Sequence, residues 1–176
     1  MSGRVKVVET SLKFKRPLQE RTLTEYFVVH HVGEINRDVS TAEIHQWHLN
    51  RGWDGVGYHY VIRKNGSIER GRPRDRVGSH CLAQDSNFRS IGICIVGNFQ
   101  PSPKCSWQPT YTQVSALANL LADLHEIYKL DPEKGTIKGH RDLGKTECPG
   151  DNLYVQLPDI AKKVKYLMQI KGGVKV

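Results

Sequence analysis

Two short apolar runs constrain the fold of this chain more than any other feature of its sequence. One extends from Tyr26 to Val32 and has two histidines near its end, and the other extends from Ile91 to Val96. Runs of this length that do not alternate with polar residues are typical of strands buried on both faces. Such strands need a covering layer on each side, so the pattern favours a central sheet with helices packed against it.

The segment after residue 56 predicts a hairpin at the edge of this sheet. Residues 57–63 (GYHYVIR) read as a strand and would place Tyr58, Tyr60 and Ile62 on one face. An Asn-Gly turn follows, which is a strong hairpin signal. The other predicted strands are the hairpin return at residues 67–70 and a short strand at residues 136–138. Hairpin and crossover links together predict an α/β fold of the α+β type, a central mixed β-sheet flanked by about three helices.

Two capping boxes predict where helices begin. Ser40 and Thr110 are each followed three residues later by Glu or Gln, and these side chains can satisfy the first free N–H groups of a helix. The two helices are predicted to run to about Asn50 and Tyr128, and a final helix is predicted from Pro158. The remaining predicted segments are a long loop at residues 71–89 and a short helix at residues 152–156.

Length and charge limit the domain organisation and the partners. We predict a basic N-terminal arm over residues 1–24 that packs on the domain, one domain over residues 25–170, and a flexible tail over residues 171–176. The formal net charge of +8 indicates an anionic partner. No run approaches the length of a membrane helix, so we expect no membrane insertion. The N-terminus lacks the apolar stretch of a signal peptide, so we expect synthesis in the cytoplasm without one.

One loop carries two residues that can bind a metal ion. The segment 139–150, GHRDLGKTECPG, contains His140 and Cys148 between loop-forming glycines and a proline. A third ligand must come from elsewhere, and the pair His30–His31 at the end of the first apolar run is the best donor. Alternation along a strand cannot decide between these two. A His/His/Cys set would leave one zinc position open, which favours hydrolysis of an amide or ester.

The other cysteines do not form a disulfide framework. Cys81, Cys94 and Cys105 remain if Cys148 binds metal, so at most one disulfide is possible. We expect three reduced thiols used as small buried side chains.

With these residues the chain resembles a known family, the zinc-dependent N-acetylmuramoyl-L-alanine amidases of type two. This family includes phage lysozyme-amidases and peptidoglycan recognition proteins. The resemblance spans residues 24–170 with its motifs in the family's order. It implies the amidase fold for the domain, one Zn²⁺ per chain, and the ligands His30, His140 and Cys148. The matching motifs are FVVHH at 27–31, RGWDGVGYHYVI at 51–62, VGSH at 77–80, SIGICIVGNF at 90–99 and GHRDLGKTECPGDNLY at 139–154.

The resemblance also implies roles for four other residues. Tyr58 would donate a hydrogen bond to the scissile carbonyl or the attacking water, and Thr146 would contact an oxyanion without supplying charge. His80 and Asn87 match positions that line the substrate groove, and for His80 a purely structural role in its loop is the alternative. No special role is expected for four histidines. Four arginines are interpreted as a solvated basic loop, and contact with an anionic peptide or glycan is the alternative. These are His45, His48, His59 and His125, and Arg70, Arg72, Arg74 and Arg76.

The function implied by the resemblance is hydrolysis of the amide bond between N-acetylmuramic acid and L-alanine in peptidoglycan. A phage or prophage endolysin that reaches the cell wall after release, through a holin-type pore, fits best, and we expect a monomer. The alternatives are a cytoplasmic amidase that recycles anhydromuropeptides and a peptidoglycan-binding module without catalysis. Nothing in the sequence resembles a nucleic-acid-binding motif, so no nucleic-acid partner is expected.

Overall fold

The computed structural model describes residues 4–33, 37–103 and 107–172, and these form a mixed sheet with helices on both faces. The predicted fold class is confirmed. None of the helices in these ranges is long and apolar enough to cross a membrane. The strands are β1 (Val7–Val8), β2 (Tyr26–His31), β3 (Tyr60–Ile62), β4 (Ile68–Arg70), β5 (Ser90–Ile95) and β6 (Ile137–Gly139). The helices are α1 (Thr41–Asn50), α2 (Ser86–Arg89), α3 (Tyr111–Tyr128), α4 (Asp151–Tyr154) and α5 (Leu157–Lys171).

The sheet has the strand order β1-β4-β3-β5-β2-β6, and the two apolar runs form its centre. β2 pairs in parallel with both β5 and β6, and only β3 and β4 are antiparallel. Phe27, Val28 and Val29 are all fully buried, which explains why this run does not alternate with polar residues. α3 and α5 cover one face of the sheet. Ile44 of α1 packs on the other, near the carboxyl ends of β2 and β5.

Both capping boxes form as predicted. The Ser40 and Thr110 side chains accept the backbone N–H groups of Glu43 and Gln113, which fixes the first turns of α1 and α3. The loop predicted over residues 71–89 differs at its end, where a 3₁₀ turn at 83–85 leads into the single turn of α2.

The prediction for residues 57–63 was wrong in its first half. β3 begins only at Tyr60, and Tyr58 packs with Val61 on the α1 side instead of sharing the face of Tyr60 and Ile62. The reason is the hydrogen bonding of the preceding backbone. The carbonyls of Gly57 and Tyr58 accept N–H groups from the 71–79 loop rather than from a neighbouring strand. The regular alternation of a strand therefore starts later than the sequence indicates.

Val5 and Lys171, which lie near opposite ends of the described chain, both contact the same residue of α3. β1, which was not predicted, adds an edge strand beside β4. Asp123 of α3 accepts the backbone N–H of Val5 at 2.5 Å and pairs with Lys171 at 2.5 Å. Lys171 therefore belongs to α5, although the predicted tail begins there. The rest of that tail, residues 173–176, and Cys105 lie outside the described residues. Cys81, Cys94 and Cys148 are free thiols.

Candidate metal and active site

Two histidines from neighbouring strands meet at one edge of the sheet. His30 lies near the end of β2 and is only 1% exposed. β6 runs parallel to β2, with Val29 opposite Gly139, so His140 follows β6 beside the end of β2. The two imidazole rings have centroids 4.6 Å apart. The carboxyl ends of parallel strands commonly deliver functional side chains in this way.

Arg141 holds the loop that carries Cys148. Its backbone N–H donates to the Cys148 carbonyl at 2.9 Å, and its guanidinium contacts the Glu147 carbonyl and Asp151. The Cys148 Sγ lies 3.7 Å from the Nδ1 of His30. The ligand atoms of His30, His140 and Cys148 all lie within 4.8 Å of one another.

His31 does not belong to this cluster. Its Nδ1 accepts the backbone N–H of Phe99 at 3.2 Å, and Phe99 packs in the core on the α3 side of the sheet. Alternation along β2 therefore separates the two histidines that the sequence left unresolved.

The electrostatics of the cluster suit a cation. Burial lowers the pKa of His30 well below its ordinary value and lowers the pKa of His140, so both rings are neutral and can coordinate metal. Burial raises the pKa of the Cys148 thiol to about 12. A thiolate at this position needs a positive charge beside it, and a bound divalent ion supplies one.

Tyr58 stands beside the cluster in a cavity of about 620 Å³. Its ring centroid lies 5.1 Å from that of His30. Burial raises the pKa of the Tyr58 hydroxyl well above its ordinary value, so this group remains a hydrogen-bond donor at neutral pH. Trp53 and Leu82 form exposed apolar walls of the same cavity.

The other predicted site residues take different positions. His80 lines the cavity, and its Nδ1 lies 3.0 Å from the Nε2 of His30. Asn87 is buried and its Oδ1 accepts the backbone N–H groups of His80 and Cys81, so it organises the loop. Thr146 is exposed, and its hydroxyl accepts the backbone N–H of Cys148 at 3.2 Å instead of lining the cavity.

Three residues to which the sequence analysis gave no functional role support the Tyr58 segment. His45 and His48 of α1 accept the backbone N–H groups of Val56 and Gly57 through their Nδ1 atoms. Arg72 is buried and donates to the carbonyls of Val56 and Val77, so the interpretation of this arginine as solvated was wrong. Two histidines three residues apart on a capped helix were the available signal, but their backbone partners lie beyond the end of the helix, 11 and 9 residues further along the chain.

The comparisons with known proteins agree on one family. The sequence profile described as N-acetylmuramoyl-L-alanine amidase matches residues 20–151. The endolysin of Enterobacteria phage K11 is 38% identical over 137 residues, which cover 76% of this chain and 85% of the phage protein. The endolysin of Escherichia phage T7 is 34% identical over 136 residues, which cover 77% and 86% of the two chains.

Solved structures agree with this result. The N-acetylmuramoyl-L-alanine amidase LysC from Clostridium intestinale URNW is 34% identical and superposes with a TM-score of 0.79, covering 92% of this chain and 98% of that one. Drosophila PGRP-LB is 24% identical with a TM-score of 0.73, covering 86% and 92%, and shares the fold. The fold is therefore that of a peptidoglycan amidase or recognition protein.

The chain belongs to the N-acetylmuramoyl-L-alanine amidase family. It is an enzyme that hydrolyses the amide bond between N-acetylmuramic acid and L-alanine in peptidoglycan, as the sequence analysis predicted.

Proposed function

We propose that this amidase is zinc-dependent and that His30, His140 and Cys148 hold one Zn²⁺ per chain. The observation that carries the proposal is the convergence of three ligand atoms within 4.8 Å, from a strand, a turn and a loop, at the wall of the cavity. Two imidazoles and one thiolate form a donor set that zinc prefers, and three protein ligands are typical of a catalytic site.

The chemistry of the pocket supports a metal rather than a carboxylate mechanism. A zinc ion, when bound, polarises a carbonyl and lowers the pKa of a coordinated water. Among the described residues that line the cavity there is no Asp or Glu, so the chain offers no general base of that kind there. The neutral histidines, of which His30 is buried and His140 is half-buried, and the high pKa of Cys148 also fit a site that gains its cation by binding a metal.

The proposed task of Tyr58 is to orient the reacting groups. Its protonated hydroxyl can donate a hydrogen bond to the scissile carbonyl or hold the attacking water, and such a donor stabilises charge that develops on oxygen. Thr146 keeps a narrower proposed role, because its hydroxyl accepts the Cys148 N–H and shapes the loop beside that ligand. The walls formed by Trp53 and Leu82 offer apolar surface to the muropeptide.

The proposed biological role is that of a bacteriolytic endolysin that acts as a monomer on the cell wall after release. This proposal rests on the phage relatives, which are endolysins. The net charge of +8 also favours the acidic wall. The domain organisation proposed is an N-terminal arm over residues 1–24, a catalytic domain over residues 25–170 and a short tail.

The test combines metal content with product analysis. We expect about one zinc per purified chain, and release of new alanine N-termini from purified cell walls that stops when a chelator removes the metal and resumes when zinc is added. Cys148→Ser is expected to lose zinc and hydrolysis while circular dichroism still reports a folded chain. Cys81→Ser, which alters a thiol outside the cluster, is expected to retain one zinc.

Three outcomes would change the proposed mechanism or function. Zinc-free protein that cleaves cell walls at full rate would contradict the metal mechanism. Activity on soluble anhydromuropeptides with none on intact walls would favour a recycling amidase over an endolysin. Tight binding to walls with zinc present and no cleavage would favour a binding module.

A further inference from the structure

The two ring nitrogens of His30 face different partners. Nδ1 is directed towards Cys148, with 3.7 Å to its Sγ, and Nε2 lies 3.0 Å from the Nδ1 of His80. The rings of His30 and His80 meet edge to face, with an interplanar angle of 81°. Nε2 of His30 is thus engaged by a second histidine, while Nδ1 is the ring nitrogen nearer to Cys148.

We propose that His80 is a positioning residue that fixes the tautomer and the ring orientation of the metal ligand His30. The inference rests on the proposed zinc site. A neutral His30 that presents the lone pair of Nδ1 to the metal must carry its proton on Nε2, and His80 Nδ1 accepts that proton in a hydrogen bond. A ligating histidine normally donates its other N–H to a carboxylate, a carbonyl or water, and this partner raises ligand basicity.

His80 is poorly placed to contact substrate, which is the role implied by the resemblance. Its side chain lies at the cavity wall, but the residue is only 8% exposed. Nδ1 is engaged by His30, and Nε2 is buried without a hydrogen-bond partner among the described residues. Nε2 is therefore not free at the cavity surface, and within the part of the chain that the structure describes the imidazole makes one hydrogen bond, to a proposed metal ligand.

The position of the His80 ring is built into the fold. Gly92, in the middle of β5, lacks the side chain that would fill this space, since a Cβ there would lie 2.5 Å from Cδ2 and Cγ of His80. A Cβ at Gly78 would lie 2.5 Å from the same Cδ2. Asn87 fixes the His80 backbone from the other side. Gly78 and Gly92 therefore leave space for the His80 ring, and the Asn87 side chain fixes the backbone that carries it beside His30.

Two substitutions separate the hydrogen bond from simple packing. His80→Leu keeps a similar volume without an acceptor. His80→Asn gives up the ring but places Oδ1 where Nδ1 of histidine stands, so it can still accept from His30. We expect His80→Leu to weaken zinc binding by about 10–100-fold in a chelator competition assay. We expect His80→Asn to recover most of that loss.

Two further measurements exclude other roles. The absorption spectrum of the Co²⁺-substituted enzyme reports ligand geometry, and we expect it to change in His80→Leu and to return towards the parent spectrum in His80→Asn. The unfolding free energies of the metal-free proteins establish that both variants fold.

Three results would overturn the inference. Parental zinc affinity in both variants would remove His80 from the metal site. An equal loss in both would assign it to packing. A raised KM with unchanged zinc affinity would return it to substrate contact. If the parent enzyme itself binds no zinc, the proposed metal site fails, and that outcome is recognised before any variant is made.

Discussion

Replacing Gly92 with Ala should disturb the proposed metal site without changing any of the residues proposed to contact metal or substrate. The new Cβ would lie 2.5 Å from Cδ2 and Cγ of His80 and 2.8 Å from its Nδ1. Carbon atoms in contact lie about 3.5–4.0 Å apart, so the ring must move by roughly 1 Å. The gap of 3.0 Å between His30 Nε2 and His80 Nδ1 would then approach about 4 Å, beyond hydrogen-bonding range.

Two free-energy changes follow from this displacement. Overpacking of a buried site destabilises a protein by about 1–3 kcal/mol, and this cost should appear in the metal-free protein. Loss of the partner of His30 should weaken zinc binding by about 10–100-fold, which corresponds to about 1.4–2.7 kcal/mol. Gly92 does not have a positive φ, so the added methyl group introduces no backbone strain of its own.

The assay is a double-mutant cycle with two measurements. One is the free energy of urea unfolding in the presence of a chelator, and the other is the zinc affinity from a chelator competition assay. His80→Ala removes the ring that the new methyl group would strike. Adding Gly92→Ala to His80→Ala should therefore cost much less than Gly92→Ala costs in the parent, in both measurements. Equal effects of Gly92→Ala with and without the His80 ring would refute the reasoning, as would parental zinc affinity in Gly92→Ala alone.

Three other perturbations test separate parts of the structure. Tyr58→Phe should lower the rate of wall hydrolysis by about 10²–10³-fold while zinc content stays at one per chain; a fully active variant would remove this hydroxyl from the mechanism. Asp123→Ala leaves the Lys171 ammonium buried and unpaired, so urea unfolding should show a loss of about 3–5 kcal/mol. Asp159→Ala, which removes an exposed pair with Lys162, should change the unfolding free energy little. Burial lowers the pKa of His59 from 6.5 to about 3. As the pH falls below 6.5, the imidazole is protonated in the unfolded chain before it is protonated in the folded one, so the folded protein loses stability between these two pKa values. In the presence of a chelator, the free energy of unfolding should therefore fall less steeply between pH 6 and pH 4 in His59→Asn than in the parent, by about 1.4 kcal/mol per pH unit. The same pH dependence in both proteins would contradict the lowered pKa of His59.

The sequence alone determined the parts of this protein that depend on local pattern. The continuous apolar runs specify β2 and β5 because a strand buried on both faces has no polar side to display, and the capping boxes specify where α1 and α3 begin. The loop with His140 and Cys148 was recognisable because metal-ligand residue types stand among loop-forming residues. Family resemblance supplied the remaining ligand and the reaction.

Only the tertiary structure decided which side chains meet. Periodicity could not choose between His30 and His31. Pairing of β2 with β6 brings His140 to the edge where β2 ends, and there the His30 ring lies beside His140 while the His31 ring bonds Phe99 on the α3 side. The partnership of His80 with His30 joins residues 50 positions apart and depends on a missing side chain at Gly92. Backbone bonds to a distant loop also displaced Tyr58 from its predicted face. Such contacts follow from how strands pair and loops return, and no local pattern of residues encodes them.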